Sequence, residues 1–581
     1  MRSVRNRVLG EGRRVSGVPC WWLVGILLLP VVNAHSRPVL DAHEPRSCLA
    51  LLPSGLSPIA GPWYGADQWI WFTSQHYRVG KIRIRVVNVF NTSRPGENTW
   101  YARLANFIHI KTVPAVIRNE LLFKSGEPVN ARNLYETERN LRVLPFVRIV
   151  IIEPDGCHGH VVNVRVIEKD AWTLKANFQF THVGGQSEYH YKIKDTDFLG
   201  LGKIISVGWE KTFEQSGTLF AYEDPAIMGT RWTGLAQYDH FSDGFLKELT
   251  VGRPFYRDRD PWALTFTGSS QQENLDFFEN GTLTESIPTR INDFSVDYGR
   301  LLGFSHDTGE RFFVGWSRRS ESYGTPSLIP GYGALPLALI DRTENGPTLG
   351  WQLFQDRYRS FENIRLIDRV EDYNLGWTVN ANWSYDPSWL GSLGSSSTLN
   401  LSVDTGTRIF GHDLLLASAS WEARRQANAW QNEVGEIQGT YYNQMLPYQT
   451  LVLHGDYQFE VNPEPDNLLY IGGIQGLRGY PNFFRLGTRL WSGTIEDRIV
   501  TPIQFWHTFV LGFVVYADWA RIEELSPSRW SQTYQDVGGG IRIGDLRSAY
   551  GQVYYLTIAF PTVHAPGVPA SSIVIGDIVN F

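Results

Sequence analysis

Residues 174–182 read Leu-Lys-Ala-Asn-Phe-Gln-Phe-Thr-His, with Ala176, Phe178 and Phe180 interleaved with Lys175, Asn177, Gln179 and Thr181. Successive side chains of an extended chain point to opposite faces, so this stretch has one apolar and one wet face and is expected to form a strand. Tyr189, Tyr191 and Ile193 repeat the pattern against Glu188, His190, Lys192 and Lys194. It recurs in Leu375, Trp377, Val379, Ala381 and Trp383, set against Thr378, Asn380, Asn382 and Ser384, and in Leu451, Leu453, Tyr457 and Phe459, set against His454, Asp456, Gln458 and Glu460. Such segments, separated by clusters of Gly, Asp, Asn, Ser and Pro, continue to the C-terminus.

Composition narrows what the strands build. The 581 residues are 43% hydrophobic and 19% charged, with 21 Trp, 26 Tyr and 31 Phe, which excludes disorder and leaves room for one small and one large domain. A formal charge of −6 provides no basic face, so no nucleic-acid partner is expected. Residues 1–34 read as a signal peptide: Arg2, Arg5, Arg7, Arg13 and Arg14 precede the apolar run Trp21 to Val32, and Val32-Asn33-Ala34 fits a cleavage site. That run is too short for a spanning helix, which needs roughly 20 residues. Cleavage there leaves Cys48 and Cys157, whose pairing the sequence leaves open because their distance is not legible. Cys157-His158-Gly159-His160 is read as a turn following Asp155-Gly156 rather than a metal site, since two candidate ligands are adjacent and no second pair lies nearby. No metal or cofactor is expected.

An exported chain without another long apolar run is either soluble or spans as a closed barrel. A soluble sandwich alternates too. The export signal, the long uniform strands, the charged polar face and the aromatics near strand ends together favour a transmembrane barrel over 171–581, with Trp232, Trp316, Trp351, Trp383, Trp421, Trp491 and Trp519 at the interfaces. At roughly 20 to 30 residues per strand and connection, on the order of 14 to 20 strands are expected. Connectors near 269–288, 318–346 and 461–486 are the expected outer loops.

Upstream the period changes. Residues 82–88 alternate, Val113 to Phe123 and Asn130 to Leu141 carry helical spacing, and Val147, Ile149, Ile151 and then Val162, Val164, Val166 alternate again. This order predicts a small α+β (βααββ) domain over 82–170. Residues 35–81 contain Pro45, Pro53, Pro58 and Pro62 and are expected to be irregular, with Trp63, Tyr64, Trp69, Trp71 and Phe72 packing on the small domain.

The run Leu122-Phe-Lys-Ser-Gly126-Glu-Pro-Val-Asn130, followed by Leu134, Leu141, Leu144-Pro-Phe146 and Val166-Ile-Glu168, resembles a polypeptide-transport-associated (POTRA) domain, present in one copy. Gly476-Leu-Arg478-Gly479-Tyr480, Glu496 with Thr501-Pro502, Phe513 to Asp518, Gly538-Gly-Gly-Ile541-Arg542 and the terminal strand resemble, in that order, the BamA/TamA and two-partner secretion superfamily of bacterial surface antigen barrels. The resemblance implies a membrane β-barrel of 16 antiparallel strands whose sixth outer loop enters the lumen and sets Arg478 against acidic residues. Parity within the strands names Glu496 and Asp518: Trp491, Ile495 and Ile499 share one face, and Phe509, Leu511, Phe513, Val515 and Trp519 another, leaving both carboxylates inward. Ile573, Ile575, Val579 and Phe581 form the expected C-terminal strand signal, interrupted by Asp577, and Ala520 stands where relatives often have glycine.

The function this implies is a non-enzymatic outer-membrane protein that inserts or translocates β-rich polypeptide, with the POTRA domain in the periplasm taking up unfolded client and accessory proteins as further partners. A two-partner secretion transporter for one client and a passive porin are the alternatives. A hydrolase is disfavoured by the absence of a Gly-x-Ser-x-Gly elbow and a His-Glu-x-x-His site; the runs Gly200-Leu-Gly202 and Gly538 to Gly540 are read as strand turns.

Overall fold

The computed structural model describes residues 66–576, apart from 95–96, 184–185, 213, 332, 334–338, 474–475, 526–527, 548–552 and 564. Residues 1–34, expected to be a signal peptide, and Cys48, Trp63, Tyr64, Asp577, Val579 and Phe581 lie outside the described residues. The chain divides into two compact units.

The smaller unit contains α1 (Ala66–Ser74), β1 (Arg78–Val87), α2 (Trp100–Ile108), α3 (Pro114–Glu120), α4 (Ala131–Val143), β2 (Val147–His158) and β3 (Val161–Asp170). Its sheet has the order β1-β3-β2, with β1 parallel and β2 antiparallel to the central β3. Pro114 occupies the first turn of α3, where its missing N–H costs nothing. Asn130 caps α4 by accepting from the amides of Arg132 and Asn133. Ile117, Leu134 and Leu141 from the helices meet Phe146, Ile152, Val162, Val164 and Val166 in one core. Trp69 and Phe72 fill the same core, and the Trp69 indole donates to the Ile152 carbonyl at 3.1 Å. The core of the small domain therefore extends upstream of residue 82 to include α1, because Trp69 and Phe72 of the aromatic lead-in are part of it. α2 is a second departure from βααββ. The β2–β3 turn is Gly159-His160, with Gly159 at φ +55°, whereas Asp155-Gly156 lies inside β2 at a register shift. Cys157 is disulfide-bonded.

In the larger unit, twenty strands of five residues or more form one closed antiparallel ring among the described residues, from Leu174–Val183 to Ser572–Gly576. This replaces the sixteen strands implied by the resemblance. Tight connections such as Ala427-Asn428 and His306-Asp307 use so few residues that the segment accommodates twenty crossings. The region 269–288 is likewise not an outer loop but a long hairpin, Trp262–Glu279 with Thr282–Ser305, closed by Asn280-Gly281 with both residues at positive φ. The other two long connectors are residues 324–341 and 462–484.

Outward positions carry exposed Ile193, Leu249, Ile437, Trp491, Val515 and Phe560. Inward positions carry buried Lys175, Glu436, Glu496, Arg498, Asp518 and Arg542. This inverted distribution, with an apolar outside and an ionic inside, suits a barrel surrounded by hydrocarbon. Trp383 and Trp491 are exposed, while Trp232, Trp316, Trp351, Trp421 and Trp519 are part-exposed. Gly538 to Gly540 lie within the strand Tyr534–Asp545, not at a turn.

Candidate functional site

Two connectors enter the ring from opposite ends. Residues 462–484 leave the strand Gln449–Val461 and return in Arg485–Phe505. Strand alternation places residues 356–376, between Arg342–Gln355 and Trp377–Asp386, at the other end, where the chain enters Leu174.

The first connector is held at its root by ions. Glu464 pairs with Arg342 and Arg424; Arg342 also reaches Glu321 at 2.7 Å, and Arg424 reaches Glu344 at 2.9 Å. Gly472 and Gly476, at φ +132° and +121°, let the backbone reverse. Phe483 stacks on Phe278 at 4.7 Å, and Arg485 donates to Asn280 at 2.6 Å. The connector thus reaches the Asn280-Gly281 hairpin, far around the ring.

At its apex, Arg478 donates from Nη1 and Nη2 to one oxygen of Glu496, both at 3.2 Å. Its Nε lies 3.5 Å from Asp518, and its backbone amide donates to the same carboxylate oxygen at 3.3 Å. Its guanidinium sits 3.4 Å from the centre of the Tyr516 ring. This is a charge-assisted fork combined with stacking, which lysine cannot reproduce. The Gly479 amide donates to Asp536 at 2.9 Å, and a Cβ on Gly479 would come within 2.8 Å of the Asp536 Cβ. Tyr480 is fully buried; its hydroxyl lies 2.9 Å from the Gln535 carbonyl and 3.1 Å from that of Val563, and burial pushes its pKa up to about 12, so it stays a neutral donor. Ser572, the first residue of the last strand, donates to the Gly479 carbonyl at 3.2 Å.

Gly476, Arg478, Gly479, Tyr480, Glu496 and Asp518 therefore meet in one place, joined by Asp536 and Tyr516, for which the sequence suggested no role at this site. Asp536 is a third acid, cross-strand from Asp518. Tyr516 is the aromatic platform, and Gly538 makes room for it, since a Cβ there would lie 2.3 Å from the ring. Parity would have placed Tyr516 and Asp536 inward, but not beneath the connector. Ile573 is exposed and Ile575 part-exposed on the last strand.

The second connector folds into a short hairpin, Tyr358–Glu362 paired with Val370–Asn374. Glu371 gathers its tip by accepting from the amides of Ile364, Arg365 and Leu366 at 3.1, 3.1 and 3.2 Å. Ile364 packs on Leu414, Tyr442 and Val452, whereas Ile367 packs on Val510, Leu546 and Val553. These contacts put the hairpin against the inner wall of the second half of the ring. Arg498 donates to the Ile364 carbonyl at 3.0 Å and to the second oxygen of Glu496 at 2.7 Å. Arg542 donates to the Arg365 carbonyl at 3.2 Å. Glu496 is consequently the shared node: one oxygen holds the arginine of the first connector, and the other holds the arginine that carries the second.

The first and last strands close the ring as an antiparallel pair, with Ile573–His182, Val574–Thr181 and Ile575–Phe180 in register among the described residues.

No family model matches the chain, and no curated protein matches it. Among solved structures it is similar to BamA from Haemophilus ducreyi lacking POTRA domains 1–3, at 11% identity over 86% of this chain and 84% of that one, with a TM-score of 0.37. It is also similar to CdiB from Escherichia coli, at 12% identity over 86% and 76% of the two chains, with a TM-score of 0.45. At these scores the functional reading rests on the geometry of the chain itself.

Proposed function

We propose that this protein is a non-enzymatic outer-membrane transporter that inserts β-rich polypeptide through a lateral opening between its first and last strands. The observation that carries this reading is that the last strand, which pairs with the first to close the ring, is tied through Ser572 to the Arg478 connector. A docked Arg478 connector would hold the last strand in place, and its movement would release that strand. Two connectors inside the barrel disfavour a passive porin, and the tie between the last strand and the Arg478 connector favours lateral insertion over passage through the lumen as in two-partner secretion.

The small domain, POTRA-like in sequence and periplasmic in this reading, would bind unfolded client by strand addition, where backbone hydrogen bonds confer affinity with little sequence demand. Its central strand is β3, with Val162 buried, so an incoming strand would pair with an edge. The N-terminal part of the β1 edge is already covered by residues 126–128, leaving β2 as the better candidate.

The test is a lock. Cysteines replacing the register partners Phe180 and Ile575 should cross-link the seam, abolish insertion of a β-barrel client at normal protein level, and restore it on reduction, with each single-cysteine variant active throughout. Full insertion with the seam cross-linked would rule out lateral opening.

A further inference from the structure

α2 presents its apolar side outward. Trp100, Leu104, Phe107 and Ile108 follow the i, i+4, i+7, i+8 spacing of one helical face, and all are exposed, Phe107 by 87% and Trp100 by 71%. Ile110 and Val113 extend the exposed patch. The opposite side is the packed one: Ala102 is fully buried, and Tyr101 and Ala105 lie with it against Val89, Phe90 and Trp172. A helix on a soluble domain normally buries its apolar stripe.

This orientation is fixed by specific bonds. The Thr99 side chain caps the first turn by accepting from the Ala102 amide at 3.3 Å. Asn106 clamps Phe90, accepting from its amide at 3.1 Å and donating to its carbonyl at 2.8 Å. Beyond the helix, His109 lies 2.9 Å from Asp170, and the Thr112 hydroxyl donates to the same carboxylate at 2.7 Å. Rotating the apolar face inward would break the Asn106 clamp on Phe90.

We infer that α2 is an interfacial helix that lies in the headgroup region of a phospholipid leaflet and gives the small domain a second hold on the membrane. The composition fits that occupant. Trp, Phe, Leu and Ile are flanked by exposed Arg103 and Lys111, and no acidic residue occurs from Asn98 to Asn119, the arrangement that binds apolar boundary and anionic headgroups together. Connectivity fits as well. β3 ends at Asp170, four residues before the first barrel strand starts at Leu174. The same unit includes the turn Leu199–Gly202, which links the barrel strands Gln186–Phe198 and Lys203–Lys211. Within the unit, the Val113 amide donates to the Gly200 carbonyl at 2.8 Å, and Leu199 and Leu201 are exposed beside it. The patch is thus continuous with residues covalently joined to strands whose outer face is apolar. The inference rests on the reading that the barrel spans a membrane.

The experiment uses the full chain with benzoyl-phenylalanine at Phe107 or, as a control, at exposed Lys124, reconstituted in phosphatidylethanolamine/phosphatidylglycerol vesicles and irradiated. Mass spectrometry should find phospholipid adducts at least tenfold more abundant at 107 than at 124. Adducts to polypeptide at 107, whether a second copy or a client, or equal lipid labelling at both positions, would overturn the inference. Flotation of the protein with the vesicles is scored separately: if the barrel itself does not associate, the membrane reading fails along with it. As a second measurement, Leu104→Glu with Phe107→Glu should increase trypsin cleavage at Arg103 and Lys111 in vesicles severalfold and leave it unchanged in detergent; equal rates in both would also overturn it.

Discussion

Replacing Arg478 by alanine should undock the lumenal connector while the barrel stays folded. The arginine supplies two hydrogen bonds to Glu496 at 3.2 Å, a contact with Asp518 at 3.5 Å and a stacked ring at 3.4 Å, with its side chain only 14% exposed. Its loss leaves Asp518 and Asp536 adjacent and buried, without the cation between connector and wall. Removing one partner of a buried ionic group typically costs about 3–5 kcal/mol. Each 1.4 kcal/mol is a factor of ten, so opening of the connector should become roughly 100- to 4,000-fold more frequent. Hydrogen exchange measures this at the amides of Gly479, bonded to Asp536, and Phe484, bonded to the Ile471 carbonyl. The amide of Leu249, in the strand Phe245–Arg253 on the far side of the ring, should not change. Arg478→Lys should be intermediate, since it keeps the charge and loses the fork. In a double-mutant cycle with Glu496→Gln, the two losses should fall short of additivity by about 0.5–3 kcal/mol. Unchanged exchange at Gly479, or strict additivity, would refute the account of the connector as held by this ion cluster.

Other perturbations separate the remaining parts. Gly538→Ala places a Cβ within 2.3 Å of the Tyr516 ring and 2.5 Å of the Ile558 carbonyl, and it should lower barrel stability by about 1–3 kcal/mol, read as an earlier heat-induced gel shift. Asn130→Ala removes the cap of α4 and should cost the small domain about 1 kcal/mol, seen as faster exchange in Ala131–Val143 with the barrel unaffected. Replacing residues 358–374 by a glycine-serine linker should raise single-channel conductance in planar bilayers, because the hairpin lies on the inner wall; an unaltered conductance would place it outside the conducting path.

The shared node makes the two connectors interdependent. Glu496 and Arg498 project from one strand, two residues apart and therefore on the same inner face. A disturbance of the hairpin at Ile364 reaches Arg478 through two hydrogen-bonded side chains. In the proposed function, this route would let the end of the barrel where the chain enters Leu174 influence the connector that holds the last strand.

Much of this organisation is local, and local features are legible in a sequence. Period-two alternation identifies strands because side chains of extended backbone must alternate, and the same parity places Glu496 and Asp518 on the inner face and Trp491 and Val515 on the outer. The helical spacing of Pro114–Glu120 and Ala131–Val143 and the cap at Asn130 are likewise nearest-neighbour properties of the chain. Other features depend on contacts between residues far apart. The count of twenty strands among the described residues reflects which strands pair and how tightly they turn. The insertion of residues 356–376, the approach of Asp536 to Gly479, and the clearance that Gly538 provides for Tyr516 exist only after the ring has closed. The apolar spacing of α2 is visible in the chain, but its outward direction is decided by Asn106, His109 and Thr112 gripping Phe90 and Asp170. Periodicity specifies which residues share a face; tertiary packing decides what that face meets.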